Sequence, residues 1–326
     1  MNNITMSHNH KNGHISVAAI VVTFNRKQIL SQCLRRLLSQ TYTLDKIIII
    51  DNASTDGTQE MLLEQGFLEQ VKIEVIQLSE NIGGAGGFYT GVCHAIEEGY
   101  DWFWLMDDDA IADNDALEAL LVSQITPKNV YASASRYIDE DGKEMLCWPI
   151  TLDRKDSSGK KIIVDKYVDL NDMEKVSTVP FLGFFISRQL IEIIGPPDKD
   201  FFISCDDVEY CERAKRKAKA KIILVKQSKL CHPSPMQYRV HLIGRCFVCQ
   251  RLHPWRRYYD VRNHILVAKT YYGYRLWTET IPGLLVRLVA TLRYEPDRLR
   301  QIRAYSQGGL DGLLGRGGNK IQPGKL

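Results

Sequence analysis

The chain has 326 residues, 44% hydrophobic and 25% charged, a composition that specifies a folded globular protein and excludes a disordered or collagen-like one. The formal net charge of +3 conceals an uneven distribution: residues 239–326 hold 16 Lys and Arg against 5 Asp and Glu, so residues 1–238 are acidic. An acidic body suited to cations is therefore followed by a basic end suited to anions, and no uninterrupted apolar run reaches the ~18–20 residues of a bilayer span.

Residues 1–13 are polar, rich in Asn and His, and read as a frayed tail rather than an export signal. Residues 15–23 form an apolar, β-branched run, and 28–40 place Ile29, Leu30, Cys33, Leu34, Leu37 and Leu38 on one helical face. Four consecutive Ile within 46–51 mark a strand covered on both faces. A turn over 52–57 opens a short helix with Thr58 as its expected N-cap. Strand 71–78, helix 88–98 and strand 102–106 continue an alternation that specifies a parallel α/β sheet with right-handed crossovers. A helix over 116–123 follows. Beyond residue 130 the pattern loosens into hairpins and loops to about residue 175. Then come an apolar stretch 179–186, a helix over 208–219 and a short strand 222–225. From Trp255 onward the reading is helical, over 258–271, 281–294 and 296–305. The expected organisation is a tail of 1–13, an α/β domain of 14–238 and a basic helical region of 239–326.

In parallel sheets ligands bind beyond the carboxyl ends of the strands. Here those ends carry Thr23-Phe24-Asn25-Arg26, Asp51-Asn52, Asn81-Ile82-Gly83-Gly84 and Asp107-Asp108-Asp109. Three adjacent carboxylates repel one another unless a cation offsets them, and Asp107 and Asp109, two apart in extended chain, point the same way. They suit one hard divalent ion that also takes diphosphate oxygens, Mn2+ or Mg2+. An acidic helix cap is the other use of such a run. The glycines after Asn81 allow close backbone approach to phosphate, but they fail the dinucleotide fingerprint because Tyr89 stands where its third Gly is needed. No Lys-Ser/Thr pair follows, which excludes a P-loop, and a tight structural turn is the alternative.

A second acidic cluster, Cys205-Asp206-Asp207-Val208-Glu209, begins a helix. A rigid carboxylate there suits a general base, assigned to Asp207, although Glu209 could simply pair with Arg213 one turn on. Trp148 lies in an expected loop, Cys147-Trp148-Pro149, where it either presents its aromatic face or packs in the core. Eight Cys without an export signal read as reduced thiols. Cys246 and Cys249, with Cys231, His232 and His253, make a single close pair where structural zinc sites repeat it, so no zinc is expected.

Taken together these residues resemble family-2 glycosyltransferases of the GT-A fold, over about residues 15–232. The string Asn81-Ile82-Gly83-Gly84-Ala85-Gly86-Gly87-Phe88 with Trp104-Leu105-Met106-Asp107-Asp108-Asp109 is similar to the branch of bacterial galactofuranosyltransferases and rhamnosyltransferases. The resemblance implies an α/β, mostly parallel sheet flanked by helices with a C-terminal helical extension. It implies donor contacts from Thr23, Asn25, Arg26, Asp51, Asn81, Gly83, Gly84, Asp107 and Asp108, and a metal held by Asp107, Asp109 and His232. Asp207 becomes the inverting base, with Asp206, Glu209 and Trp148 at the acceptor. Arg257-Tyr258-Tyr259-Asp260-Val261-Arg262-Asn263 also resembles the branch's C-terminal helix. The donor implied is a UDP-sugar, most of all UDP-galactofuranose, with dTDP-rhamnose as the alternative, and the acceptor a lipid-linked glycan of bacterial surface polysaccharide.

Leu284, Leu285, Leu288, Val289 and Leu292 beside Arg287, Arg293, Arg298, Arg300 and Arg303 read as a basic amphipathic surface. This places the protein in the cytoplasm, peripheral on the inner face of the membrane. The rival is that these helices pack on the body or form a homo-oligomer. No recognition motif accompanies the charge, so nucleic acid is not an expected partner. A catalytically silent glycan-binding subunit is a further reading; a sugar nucleotidyltransferase would want a more basic first loop than Arg26 and Lys27.

Overall fold

The computed structural model describes residues 15–233, 236–242 and 245–324; the expected tail of 1–13 lies outside them. The first half alternates as the sequence indicates: Val17–Thr23 (β1), Lys27–Leu38 (α1), Lys46–Asp51 (β2), Thr58–Glu64 (α2), Ile73–Gln77 (β3), Gly83–Glu97 (α3) and Trp102–Asp107 (β4). Every residue of β1 is buried, and its two faces serve two cores. Ala18, Ile20 and Val22 pack with Phe88 and Val92 of α3, while Val17, Ala19 and Val21 pack with Leu30, Leu34 and Leu37 of α1. A strand covered on both sides needs apolar residues at every position, which explains the unbroken runs in β1 and β2.

Two local expectations are corrected. Gly57, at φ +86°, precedes α2 as its cap, and Thr58 sits inside the helix with its hydroxyl donating to Asp56 Oδ1. Helix α3 begins at Gly83, five residues before the periodicity shows it, because its first turns are glycine and carry no side-chain pattern. Those glycines serve packing: a Cβ on Gly87 would stand 2.6 Å from Val22, and one on Gly91 2.4 Å from Ile20. Gly83 is the strictest case, with φ +79° and the Phe202 carbonyl 2.0 Å from where a Cβ would lie.

The second half follows with Ile111–Ala112 (β5), Ala116–Val122 (α4), Val130–Ile138 (β6), Glu144–Lys155 (β7), Lys161–Lys166 (β8) and Met173–Lys175 (β9). Leu182–Ser187 (β10), Arg188–Ile194 (α5), Asp206–Ala218 (α6) and Ile222–Cys231 (β11) complete the body. One sheet of 11 strands runs β3-β2-β1-β4-β10-β6-β11-β5, with the β7–β8 hairpin on β6 and β9 on β11. β3, β2, β1 and β4 are mutually parallel, β10 is antiparallel to both its neighbours, and β11 is parallel to β6. The stretch 130–175, expected as hairpins and loops, is built of the β6–β7–β8 hairpins and β9, and Trp148 lies within β7 rather than in a loop.

After β11 the chain forms a hairpin, Gln237–Leu242 (β12) with Arg245–Gln250 (β13), then helices Pro254–Tyr271 (α7), Ile281–Tyr294 (α8) and Arg298–Leu314 (α9). The boundary expected after residue 238 falls inside β12. The hairpin buries Val240 and Cys249 against Ala290 of α8. Among the described residues no helix is long and apolar enough to cross a membrane.

Candidate active site

Register brings the strand ends together. Thr23 lies beside Asp51 across β1–β2, and Val22 beside Asp107 across β1–β4, so three strand ends form one shelf. On it Thr23 Oγ1 donates to Asp108 Oδ2 at 2.7 Å, and Arg26 Nη1 donates to Asp108 Oδ1 at 3.1 Å and Asp109 Oδ2 at 2.6 Å. Asp108, only 2% exposed, is therefore consumed in tying β4 to β1 and in aiming Arg26, instead of facing a ligand. Burial raises its pKa to about 6 despite the pull of Arg26 and Thr23. Asp107 is half-buried; its backbone carbonyl accepts the Ala110 N–H, and its carboxylate has no hydrogen-bond partner among the described residues. Burial, then the charges of Asp109, Asp108 and Asp206, push it well above the usual carboxylate range.

His232 arrives from the far side of the sheet. The sequence shows a strand only to Val225, but β11 continues past an irregularity to Cys231 and pairs there with β5, Cys231 against Ile111. Because β5 directly follows Asp107-Asp108-Asp109, this pairing sets His232 beside Asp109, with Nε2 3.3 Å from Oδ1. The ring Nδ1 lies 2.6 Å from the Pro233 carbonyl, which fixes the proton on Nδ1 and leaves the Nε2 lone pair facing Asp109. Asp109 Oδ1 is buried without an aligned hydrogen-bond donor. Although 3.3 Å is within ion-pair reach, two acceptors thus face each other, an arrangement satisfied by a shared proton or a cation. Burial alone would pull the His232 pKa down; Asp109 overrides it and raises it.

Among the described residues no three Asp, Glu, His or Cys side chains are gathered tightly enough to hold an ion by themselves. The donors Asp107, Asp109 and His232 Nε2 nevertheless fit a hard or borderline divalent ion that draws further oxygens from a diphosphate.

The flanking loops are built by hydrogen bonds. Asn25, at φ +53°, donates its N–H to Ser54 Oγ and accepts the Thr55 N–H on Oδ1, at 2.9 and 2.7 Å. Asp51 is fully buried and accepts from Ser54 N and Gln59 Nε2, so a nucleotide reaches its carboxylate only if Gln59 yields. Asn52 spans to Gly83 O and Ile82 N, and Asn81 Oδ1 takes the Gly83 N–H at 2.8 Å. Gly84 faces open space, leaving its backbone approachable.

The acidic helix start is held under strain. Phe202, Ser204 and Cys205 all have positive φ, at 63°, 70° and 63°, immediately before Asp206 opens α6. Helix α7 braces them: Asn263 Nδ2 donates to the carbonyls of Phe201, Ile203 and Ser204, and fully buried Arg262 donates to those of Asp200, Phe201 and Gly318. Asp206 is the member of the pair whose charge acts on Asp107. Asp207 accepts the Val208 N–H at 2.7 Å and feels His264 of α7. Burial raises both carboxyls, Asp206 further because Asp207 repels it. Glu209 acts on Asp206 by its charge, but its carboxylate is taken up by Arg213 and the Tyr271 hydroxyl, which makes it a brace between α6 and α7. Trp148 packs on the sheet with its ring 5.1 Å from that of His232, so it both fills core and borders the site.

Sequence reasoning passed over Arg256. It stands on the first turn of α7, over the Trp255 ring, and feels the charges of Asp107 and Asp109. The bracing role of Arg262 and Asn263 was passed over too. The available signal was position: residue 262 falls on the same helical face as Tyr258 and Ile265, where an Arg must be buried.

A model of the family described as glycosyl transferase family 2 matches residues 18–192. This chain belongs to that family and is a glycosyltransferase of GT-A-like fold. Galactofuranosyltransferase GlfT1 of Mycolicibacterium smegmatis is 26% identical over 61% of this chain and 65% of its own length; its Mycobacterium tuberculosis namesake is 26% identical over 76% and 80%. dTDP-rhamnosyl transferase RfbF of Shigella flexneri is 24% identical over 92% of this chain and 96% of its own. Among solved structures, GalNAc-T7 with UDP, GalNAc and Mn2+ superposes with a TM-score of 0.58 at 14% identity, over 93% of this chain and 57% of that one. The Pyrobaculum calidifontis mannosyltransferase PcManGT with GDP-Man and Mn2+ gives 0.55 at 14%, over 92% and 87%.

Proposed function

We propose that this enzyme transfers galactofuranose from UDP-galactofuranose to a lipid-linked glycan of bacterial surface polysaccharide, inverting the anomeric centre. The observation that carries the reading is the meeting of Asp109 Oδ1 and His232 Nε2 beside the Asp107 carboxylate, at the end of the parallel strands. The mycobacterial relatives' names favour the galactofuranose donor. dTDP-rhamnose is the second reading, favoured by the Shigella relative, whose match extends over nearly both whole chains.

Asp107, Asp109 and His232 would hold Mn2+ or Mg2+, which neutralises charge developing on the departing nucleotide diphosphate. Arg26, held at that edge by Asp108, adds a fixed positive charge. Thr23 and Asn25 shape the nucleotide cleft with buried Asp51, and the backbone of Asn81, Gly83 and Gly84 lies within approach of phosphate. Asp207 accepts the proton of the acceptor hydroxyl on a carboxylate oxygen. It suits this better than Asp206, which burial keeps protonated to higher pH.

A panel of nucleotide sugars, read as metal-dependent release of nucleotide diphosphate, tests the donor. UDP-galactofuranose is the expected substrate, and preferential turnover of dTDP-rhamnose selects the second reading. With the accepted donor, the rate is expected to fall on the acid side of a limb lying above the ~3.9 of an ordinary Asp, since burial raises the base and only its ionised form accepts a proton. Asp207→Asn removes transfer and spares UDP binding. An unshifted limb, or a fully active Asp207→Asn enzyme, counts against this base.

Membrane association belongs to the same proposal, on a narrower surface than the sequence indicates. Leu284 is buried and Leu288 packs on the helical core, while Arg257 and Arg262 are internal. Leu285 and Val289 remain 58% and 56% exposed on one stripe with Arg293, near Trp277 at 62%. Flotation with vesicles containing anionic phosphatidylglycerol is expected to carry the protein upward, and vesicles of phosphatidylcholine alone much less; no flotation with either removes this part.

A further inference from the structure

A second cleft, of about 520 Å³, opens between α6, α8 and the β7–β8 hairpin, a size typical of small-ligand sites. Five Lys and Arg side chains line it against three Asp and Glu. Most of these charges are already matched. Glu212 accepts from Lys215 and Arg216, and Glu279 is gripped by both arms of Arg275 at 2.8 and 2.7 Å. Lys161 and Arg287 are different: among the described residues neither forms an ion pair with a carboxylate. Arg287 Nη1 instead faces His264 Nε2 at 3.4 Å, a ring held from behind by the Asp260 carbonyl at 2.7 Å and flanked by the Asp260 carboxylate. The hydroxyls of Thr178 and Thr280 also line the cleft, and Gly283 leaves its floor open. Two cations outside any ion pair, with hydroxyl donors around them and Asp153 as the lining carboxylate likewise outside one, leave the cleft net positive, the chemistry of a phosphate-binding site.

The surroundings say what bears the phosphate. On one side the cleft is walled by Val208, next to Asp207. On the other it is walled by Leu284 of α8, whose neighbours Leu285 and Val289 face outward, with exposed Trp277 and Tyr274 beside Arg275. A ligand seated here has an apolar surface at one end and the carboxylate pair at the other. We infer that this cleft binds the diphosphate of a lipid-borne acceptor, with Lys161 and Arg287 as its chief partners, so that the lipid leaves along α8 while the glycan reaches the start of α6. The inference rests on the acceptor being lipid-linked, as proposed above.

The probe is farnesyl diphosphate, titrated calorimetrically into the full chain already saturated with UDP and Mn2+, with inorganic pyrophosphate and farnesol as separate arms. Farnesyl diphosphate is expected to bind without displacing UDP, and more tightly than either arm. Lys161→Ala and Arg287→Ala are each expected to weaken it at least about tenfold, the loss of one charge-assisted contact, with Arg287→Lys recovering part. Lys161 is exposed, so its replacement leaves the fold intact. Displacement of UDP, equal affinity for pyrophosphate, or unchanged affinity in both alanine variants overturns the inference. Binding of farnesyl diphosphate that depends on Lys161 and Arg287, in protein that takes no UDP, retains the cleft and removes the donor reading instead.

Discussion

Asp109→Asn is expected to lower metal-dependent nucleotide diphosphate release at least about a thousandfold while leaving the folded protein as stable as the parent. The rate follows from position. Asp109 has one oxygen on Arg26 and the other, Oδ1, toward the lone pair of His232 Nε2. An amide is nearly isosteric, and its NH2 group donates where the carboxylate cannot. Turned toward His232, it hydrogen-bonds Nε2 and quenches the lone pair that a cation needs, while its oxygen keeps the Arg26 contact. The packing and the Arg26 bridge survive, and a negative donor and the imidazole donor are lost together. Removing electrostatic stabilisation of a leaving group by about 4 kcal/mol corresponds to that factor. The check is steady-state release across a Mn2+ titration beside a thermal melt. Full activity with an unchanged metal requirement would show that Asp109 holds no ion.

Arg262→Met is expected to be the most damaging change outside the carboxylate shelf, costing about 3–5 kcal/mol of stability. Arg262 is fully buried, stacks 4.7 Å from the Tyr259 ring centre, and donates to the carbonyls of Asp200, Phe201 and Gly318. Met fills similar space but removes all three bonds: the Gly318 carbonyl loses its side-chain donor, and Asp200 and Phe201 keep only the Gly318 N–H and the Ile203 and Asn263 donors. The consequence reaches the site because the carbonyls belong to the segment whose positive φ angles at Phe202, Ser204 and Cys205 aim Asp206 and Asp207. Relaxation there misplaces the acid pair, while β1, β2 and β4, the strands proposed to shape the nucleotide cleft, keep their own cores. Transfer is therefore expected to fall far more than UDP affinity. Urea denaturation measures the first effect, and comparison of kcat with the UDP dissociation constant the second. Equal losses in both quantities would mean that α7 supports the whole fold rather than the start of α6.

The C-terminal region changes meaning when its contacts are known. From charge alone it is a basic surface, yet two of its Arg residues are internal props. Arg262 holds the acid pair's loop, and Arg257 is buried on Glu295. Arg256, on the same helix, feels the charges of Asp107 and Asp109. Exposed basic charge remains on α8 and α9, and Arg287 faces the second cleft.

Much of the first half of the fold was legible in the chain because its signals are local. A strand covered on both faces must be apolar at every position, so β1 and β2 announce themselves, and a parallel sheet places ligands at the strand ends where Thr23, Asp51 and Asp107 stand. Three consecutive carboxylates at such an end demand a positive partner, whatever the rest of the fold does.

What the chain could not declare depended on pairings between distant segments. The last turns of β11 have no unbroken apolar run, and only pairing with β6 and β5 carries His232 to Asp109. Strand alternation sets Asp107 and Asp109 apart from Asp108, but only contact with Thr23 and Arg26 shows Asp108 to be a tie between strands and Asp109 to share that Arg. Glu209 likewise became a clamp only through Arg213 and Tyr271. Local periodicity reports which face of an element is buried, but a side chain's role is set by what the tertiary fold places opposite it.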